Sequence, residues 1–306
     1  MHYNPYVHDY SQDYLTFVAL EDGTINFTLF RWADTAFVES FAYSKNDGEW
    51  VETQNSDNRE NDIKINVNVV EGDKVRWKGI ANHIGCDGDN GGVFTSTCRV
   101  NAQGNIMSLL YGDYFNNELA LSDDFAFSHL LGDISSGNEN ECLIVNASDL
   151  VLPATTLTNY CYEAMFNNCT NLITAPELPA ITLADSCYHR MFDGCMSLTL
   201  APALPATTLV NNCYSAMFRA CSSLTAAPDL PATTLVLDCY NAMFQCCSSL
   251  NYIKAMFTTT PSTNYTNNWV DMVASTGTFV KNSAATWNVT GISGIPTGWT
   301  VETETT

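Results

Sequence analysis

The chain has 306 residues and a formal net charge of -21 at pH 7, from 33 acidic and 12 basic side chains. This length has room for about two domains, and a hydrophobic share of 46% is that of an ordinary folded protein. Residues 1–150 carry 24 of the acidic side chains and only 8 basic ones. That balance argues against binding to nucleic acid or to anionic membranes, because phosphate contacts need lysine and arginine.

The first fourteen residues are rich in tyrosine and lack both the basic start and the apolar run of a secretory signal. They form either a passive terminus or an arm that docks on a neighbouring subunit, since tyrosine is a favoured interface residue. We favour a docking arm over residues 1–14. Its contact residues would be Tyr3, Tyr6, Tyr10 and Tyr14.

Residues 15–112 alternate apolar and polar side chains between turn signals, which predicts a domain of short antiparallel strands like a β-sandwich. Within it, the stretch C-D-G-D-N-G-G at residues 86–92 has part of a calcium-loop pattern. The full spacing and the distal glutamate are missing, so a plain turn is the better interpretation. Cys86 and Cys98 flank this stretch and are the one pair considered for a disulfide; whether they bridge stays open.

A repeat of 26 residues occupies most of residues 113–256. The pattern L-P-A-x-T-L-x-x-x-C-Y-x-x-M-F-x-x-C-x-x-L recurs four times between Leu152 and Leu250. An unbroken period of this length is typical of a solenoid whose units stack on one another. The segments 172–179, 198–205 and 224–231 predict one strand per repeat, and the three-and-four spacing of apolar residues from Leu157 to Cys169 predicts one helix.

The two ends of the repeats depart from the pattern. Residues 126–131 imitate its C-Y-x-x-M-F part and predict a degenerate first repeat. Residues 257–306 contain short strand-like stretches with tryptophan, which predict a C-terminal cap. The expected fold class is therefore an antiparallel β-sandwich-like domain followed by a short α/β leucine-rich-repeat solenoid with a cap.

Eight of the twelve cysteines occupy two columns of the repeat, where a small buried hydrophobe is the simplest role, so we expect free stacked thiols there. Cysteine and histidine residues show no zinc spacing, and the chain has none of the common hydrolase, phosphate-binding or dinucleotide-binding motifs. His189 lies at a variable repeat position and is interpreted as a surface residue. The sequence thus predicts no metal, no cofactor and no enzymatic activity.

The motifs M-F-x-x-C and A-P-x-L-P resemble those of BspA-like (Treponema-type) leucine-rich repeats, which have A-F-x-x-C and I-x-I-P at these places. The resemblance covers roughly the second half of the chain, and the variant here is similar to proteins of gut Bacteroidetes and of their phages. It implies a protein that binds surfaces rather than one that catalyses a reaction.

Some repeat positions vary while the frame stays fixed, as expected of residues that face solvent. Such variation indicates either tolerance or a recognition surface, because repeat scaffolds present extended faces to partners. The strand side is our predicted binding face, with the residues Thr174, Glu177, Leu200, Ala203, Ala226 and Asp229.

Three functions are compatible with these features. We favour a non-enzymatic structural or surface protein of a phage virion, such as a head or tail fibre or a decoration, whose arm binds another virion protein and whose repeats bind a glycan or protein receptor on a host or mucosal surface. The alternatives are a bacterial cell-surface adhesin and a secreted glycan-active enzyme with accessory repeats. No membrane insertion is expected. A homo-oligomer is possible, although no heptads support a coiled-coil trimer.

Overall fold

The protein is described by a computed structural model that covers residues 9–30, 38–53, 63–86, 91–132 and 142–304. Tyr3 and Tyr6 of the predicted arm lie outside the described residues, and so do residues 87–90 of the loop with the partial calcium pattern. Within the described ranges, no helix is long and apolar enough to cross a membrane.

Twelve strands are found in the described ranges, and helix is confined to a few short turns. The strands are β1 (Leu15–Ala19), β2 (Gly23–Phe30), β3 (Val38–Lys45), β4 (Val51–Glu52), β5 (Ile63–Val69), β6 (Lys74–Ala81), β7 (Gly91–Ser96), β8 (Val100–Asn105), β9 (Ile144–Val151), β10 (Tyr252–Ala255), β11 (Thr278–Asn282) and β12 (Thr300–Glu304). The helical turns are α1 (Ser108–Tyr111) and the 3-10 helices Tyr10–Gln12 and Gly112–Tyr114.

The N-terminal part consists of two sheets that share an aromatic core. One sheet has the order β4-β3-β6-β1-β8-β9 and the other the order β5-β2-β7, and their pairs are antiparallel apart from the parallel pair of β8 and β9. Phe27 and Phe94 of the smaller sheet pack against Phe41 and Trp77 of the larger one, with ring centroids 4.2 Å apart for Phe27 and Phe41. The sandwich-like part of the prediction fits this arrangement.

The segment predicted as a helix in each repeat is a chain of tight turns, here called the turn ribbon (residues 158–169, 184–195, 210–221 and 236–247). Its even- and odd-numbered residues bond differently along the ribbon. In the first repeat the amide of Tyr162 donates to the carbonyl of Cys187 in the next repeat, whereas the amide of Glu163 donates to the carbonyl of Tyr160, three residues back. This alternation pairs the buried backbone groups without a helix.

Left-handed backbone recurs at every fourth residue of the turn ribbon. In the first repeat φ is 56° at Tyr160, 49° at Ala164 and 56° at Asn168, and the other repeats have the same three positions. Such values cost a residue with a side chain roughly 1–2 kcal/mol. Glycine occupies one of these positions, at Gly194, where a Cβ atom would collide with the side-chain oxygen of Asn168.

Two columns of buried rings run through the repeats. The tyrosine rings of successive repeats lie 5.7, 5.9 and 6.1 Å apart, and the phenylalanine rings 5.4, 5.6 and 5.9 Å apart, with near-parallel planes. The second cysteine column supports them, because the thiols of Cys195, Cys221 and Cys247 each contact a phenylalanine carbonyl of the preceding repeat at 2.9–3.1 Å. The frame of the repeat is thus the interior of the molecule.

The strand predicted for each repeat is reduced to single bridges, such as that between Thr174 and Leu200. The reason is proline: Pro176 and Pro179 have no amide hydrogen to donate to a neighbouring repeat, and the next two repeats have proline at the same places. Regular pairing begins after the last of these prolines, where β10 pairs with β11 and β11 with β12, all in parallel.

The N-terminal sheets continue directly into the repeats. On one side, the amide of Ala147 in β9 donates to the carbonyl of Thr174, so the extended segment 172–179 of the repeats lies next to the last strand of the six-stranded sheet. On the other side, the amide of Phe94 in β7 donates to the carbonyl of Leu130, within the stretch predicted as a degenerate repeat. That stretch bonds to the next repeat as the others do, with the amide of Phe127 donating to the carbonyl of Cys161.

The C-terminal residues close the other end of the stack. Amides of the last turn ribbon donate to carbonyls of residues 264–271, and the ring of Trp269 lies 6.2 Å from the rings of both Tyr240 and Phe244. Trp269 is buried, and its indole nitrogen donates to the carbonyl of Gly294 at 2.8 Å. Trp287 and Trp299 are also buried in this region.

The predicted fold class is therefore wrong for the repeats. The structure is mostly β-sheet, arranged in three sheets, and the strand-plus-helix unit of an α/β leucine-rich-repeat solenoid is not found. The hydrophobic spacing was interpreted as a period of 3.6 residues, whereas the backbone repeats its turn every four residues. Over a segment of this length the two periods place the same side chains inside.

The cysteine predictions also need correction. Cys169, which was expected to be a free thiol of the column, forms a disulfide with Cys142, 27 residues earlier. Cys86 and Cys98, the pair left open, do not bridge each other. The disulfide joins the first repeat to Cys142, two residues before β9, so it spans the junction with the N-terminal sheets.

The left-handed positions distinguish the turn ribbon from a helix by their response to glycine. We expect Ala220→Gly, at a position with φ of 58°, to leave the free energy of unfolding unchanged or to raise it by about 1 kcal/mol, because glycine adopts this conformation without strain. The control Ala203→Gly, at an exposed position without positive φ, should lose about 0.5–1 kcal/mol. Urea denaturation measures the free energy of unfolding of both variants. A loss of stability in Ala220→Gly as large as that in Ala203→Gly would contradict left-handed backbone at this position of the turn ribbon.

Candidate functional site

The predicted binding residues lie on one side of the molecule, here called the strand face (the exposed residues of segments 172–179, 198–205 and 224–231). Leu200 is 72% exposed, and Glu177, Ala203 and Asp229 are exposed as well. Thr174 and Ala226 are half-buried. Parallel bridges join Thr174 to Leu200 and Ala226 to Tyr252, so the structure brings these positions together at neighbouring levels of the stack.

The strand face extends beyond the predicted residues at both ends. Upstream, the hydroxyl of Thr174 donates to the side-chain oxygen of Asn146 in β9. Downstream, Lys254 in β10 forms ion pairs with Asp229 at 3.2 Å and with Glu304 at 2.7 Å. The resulting surface combines acidic, hydroxyl and exposed aliphatic groups.

The turn ribbon carries a second polar surface. His189, predicted as a surface residue, is half-exposed, and its Nδ1 lies 2.9 Å from Oε1 of Glu163 in the preceding repeat. His129 lies at the preceding level, where its amide donates to the carbonyl of Glu163. Burial lowers the pKa of His129, the carboxylate of Glu163 opposes this shift, and the charges of Arg190 and His189 lower the pKa further.

Asp193 is the most buried charge of this surface, with a side chain only 6% exposed. Its Oδ2 accepts from Nε of Arg190 at 3.0 Å, and its Oδ1 accepts from Nε of Arg219 at 3.0 Å. Arg219 adds a bond from Nη2 to Oδ2 at 2.5 Å. One buried carboxylate therefore binds two guanidinium groups. Its hydrogen bond raises the pKa of Arg219.

The column thiols have a structural role. Burial raises the pKa of Cys161 and of Cys247 to about 12 and that of Cys239 to about 11. Because the thiolate is the reactive form, these groups are poor nucleophiles and poor metal ligands at neutral pH. Cys246 differs because it is half-exposed, with its sulfur 3.7 Å from the sulfur of Met272.

The described tyrosines of the predicted arm contact their own chain. The hydroxyl of Tyr14 donates to Asp113 at 2.7 Å, and its ring packs edge-on against Trp50 at 5.0 Å. Burial, followed by the bond to Asp113, raises the pKa of Tyr14 to about 12. Tyr10 begins the 3-10 helix and is half-buried. Docking of the arm on another protein stays a prediction.

Comparison with protein-family models, with curated proteins and with solved structures finds no match for this chain. The resemblance to BspA-like repeats therefore stays a hypothesis that rests on the sequence motifs. In the described part of the chain, no three histidine, cysteine, aspartate or glutamate side chains are grouped so that they could hold a metal ion.

Sequence reasoning did not find the group formed by Asp193 and the two arginines. A signal was present: Asp193 and Arg219 are 26 residues apart and so occupy one column, while Arg190 replaces the alanine of the other repeats. Charged residues of opposite sign at one repeat spacing are neighbours in a stack.

Two adjacent cysteines test the assignment of the columns. At pH 8 in the native chain, we expect iodoacetamide to label Cys246 quickly and to leave Cys247 unlabelled, because Cys247 is buried and its raised pKa keeps it protonated. Peptide mapping by mass spectrometry measures both sites, and labelling in denaturant is the control for intrinsic reactivity. Equal native labelling of the two would contradict a buried column.

Proposed function

We propose that this protein is a non-enzymatic surface-binding protein, a structural or decoration protein of a phage virion whose repeats contact a host or mucosal surface. One observation carries the binding role: the residues that stay fixed between repeats form the buried frame, while most of the variable residues, including Glu177, Ala203 and Asp229, are at least partly exposed. A scaffold that tolerates changes at exposed positions can change its partner without losing its fold.

The strand face is the proposed contact surface. Leu200 is the most exposed large apolar side chain of this face, and hydroxyl and acidic groups surround it at the same and the adjacent levels. An exposed apolar group within a polar rim is typical of recognition surfaces. The aligned positions Thr174, Leu200, Ala226 and Tyr252 present this surface along the stack.

We assign attachment to the virion to the N-terminal sheets and the arm that precedes them. The repeats are joined to the N-terminal sheets through β7 and β9, so a load on the repeats would pass to those sheets through paired backbone. The disulfide between Cys142 and Cys169 reinforces the same junction and suits an oxidising, extracellular setting. The virion assignment itself rests on the resemblance to repeat proteins of Bacteroidetes and their phages.

Binding through the strand face predicts a local effect of substitution. We expect fluorescently labelled full-length protein to bind glycans of host bacterial surfaces or of mucin on an array, and Leu200→Glu to weaken this binding about tenfold, because a charge replaces an apolar contact. Ile181→Glu, at a residue of the same repeat that is 63% exposed and lies outside the segments of the strand face, is the matched control and should bind within about twofold of the unaltered protein. Equal loss in both variants, or no binding to any surface glycan, would contradict the proposal.

The attachment role predicts that the first eight residues drive assembly. We expect the full chain to associate in solution and residues 9–306 to be a folded monomer of equal stability, because the truncation keeps the contacts of Tyr10 and Tyr14. Light scattering after size-exclusion chromatography measures both masses. If the full chain and residues 9–306 are both monomers of equal stability, the first eight residues do not drive assembly, and a bacterial cell-surface adhesin becomes the favoured function.

A further inference from the structure

Arg190 and Arg219 form an unusual pair in this acidic chain. They are the two arginines of the sequence after residue 150, and the turn ribbon places them on adjacent repeats with Asp193 between them. Two positive groups share one carboxylate, so the group has a local excess of positive charge. The nearest carboxylate of the neighbouring column, that of Glu163, is already bonded to His189.

The two guanidinium groups have donors that their bonds to Asp193 do not use. Arg190 binds Asp193 through Nε, which leaves both of its terminal nitrogens without a partner among the described residues. Arg219 binds through Nε and Nη2, which leaves Nη1. The side chains are 39% and 38% exposed, so these donors can reach a ligand.

The repeat frame does not need these charges. Where the second repeat has Arg190, the other three have Ala164, Ala216 and Ala242. In the column of Asp193, the first repeat has a neutral asparagine and the fourth a neutral glutamine. The group is thus an addition to the frame rather than a part of it.

The geometry of the pair suits one class of ligand. A guanidinium group presents parallel donors that match a carboxylate or a sulfate, and bonds between ionised groups are stronger than neutral ones. Because Asp193 is buried and fixes both arginines before a ligand arrives, little side-chain freedom remains to be lost on binding.

We propose that Arg190 and Arg219 bind the acidic group of a sugar, a carboxylate or a sulfate, on a surface glycan. This inference rests on the proposed function, since it takes the anion to be part of a glycan. It adds a second contact on the turn ribbon, separate from the strand face, and it gives a strongly acidic protein a means of selecting acidic glycans among neutral ones.

The test uses the full-length protein and sugars of matched size. Isothermal titration calorimetry compares glucuronic acid and 6-sulfo-N-acetylglucosamine with neutral N-acetylglucosamine, and the two acidic sugars distinguish a carboxylate site from a sulfate site. We expect at least one acidic sugar to bind and the neutral sugar not to bind. Arg190→Ala and Arg219→Gln should each weaken binding about tenfold through the loss of charge-assisted hydrogen bonds.

The variants are chosen from residues that the repeat itself uses, so that they fold. Alanine occupies the position of Arg190 in the other repeats, and glutamine follows Arg219 in its column as Gln245. Arg99→Gln is the control, because it removes the same charge from an exposed arginine of the N-terminal part that is also paired with a carboxylate, and it should leave binding within about twofold. Thermal melts confirm that each variant is folded.

Three results would overturn the inference: acidic sugars bind no better than the neutral one, they bind Arg190→Ala as well as the unaltered protein, or no acidic sugar binds. The glycan array separates this failure from failure of the proposed function. If acidic sugars fail to bind as expected but the array shows neutral glycans bound through Leu200, the arginine site is contradicted and the surface-binding role is supported. If no glycan binds on the array, both proposals are contradicted.

Discussion

The alternating hydrogen bonds of the turn ribbon are the interaction on which the rest of the structure depends. Every second amide bonds to the next repeat and every other amide closes a turn within its own repeat, as Tyr162 and Glu163 do. Without helix or sheet, this arrangement satisfies the buried backbone groups, whose exposure to an apolar interior would be costly. These bonds also set the distance between successive repeats, and the stacked tyrosine and phenylalanine rings occupy the space between them.

The same bonding accounts for the ends of the molecule. A repeat in the stack leaves donors on one side and acceptors on the other, so each end needs a partner. The N-terminal sheets supply one through β7 and β9, and the C-terminal residues supply the other around Trp269. The sandwich-like part and the repeats are therefore one continuous structure, in which a change at the junction of Cys142 and Cys169 affects both.

Much of the interior could be predicted from the sequence. The period of 26 residues, the inward columns around Tyr162 and Phe166, and the antiparallel strands of the N-terminal part all follow from hydrophobic patterns. The backbone of the turn ribbon did not follow, because a spacing of three and four residues is shared by a helix and by four-residue turns. The better signal lay at the left-handed positions, which have Asn, Asp, Gly, Ala and other residues that are not β-branched, as such backbone requires.

Of the two candidate sites, one was predicted from the sequence and the other was not. The strand face was predicted because variation on a fixed frame is visible in one sequence, and the structure places Leu200 and its neighbours on one surface. The arginine pair was missed although its signal was present: Asp193 and Arg219 are one repeat apart, and Arg190 precedes Asp193 by three residues, a spacing that brings side chains together in a helix as well. The proline residues of the extended segments leave single bridges where strands were expected, because proline has no amide hydrogen to donate.

The most direct test of the turn ribbon is a through-hydrogen-bond NMR coupling in the deuterated full-length protein. We predict a coupling between the amide nitrogen of Ala216 and the carbonyl carbon of Asn241, because this amide donates to that carbonyl in the next repeat at 2.7 Å. A helix would instead give a coupling from Ala216 to Asn212, four residues earlier. Observation of the second coupling in place of the first would contradict the account.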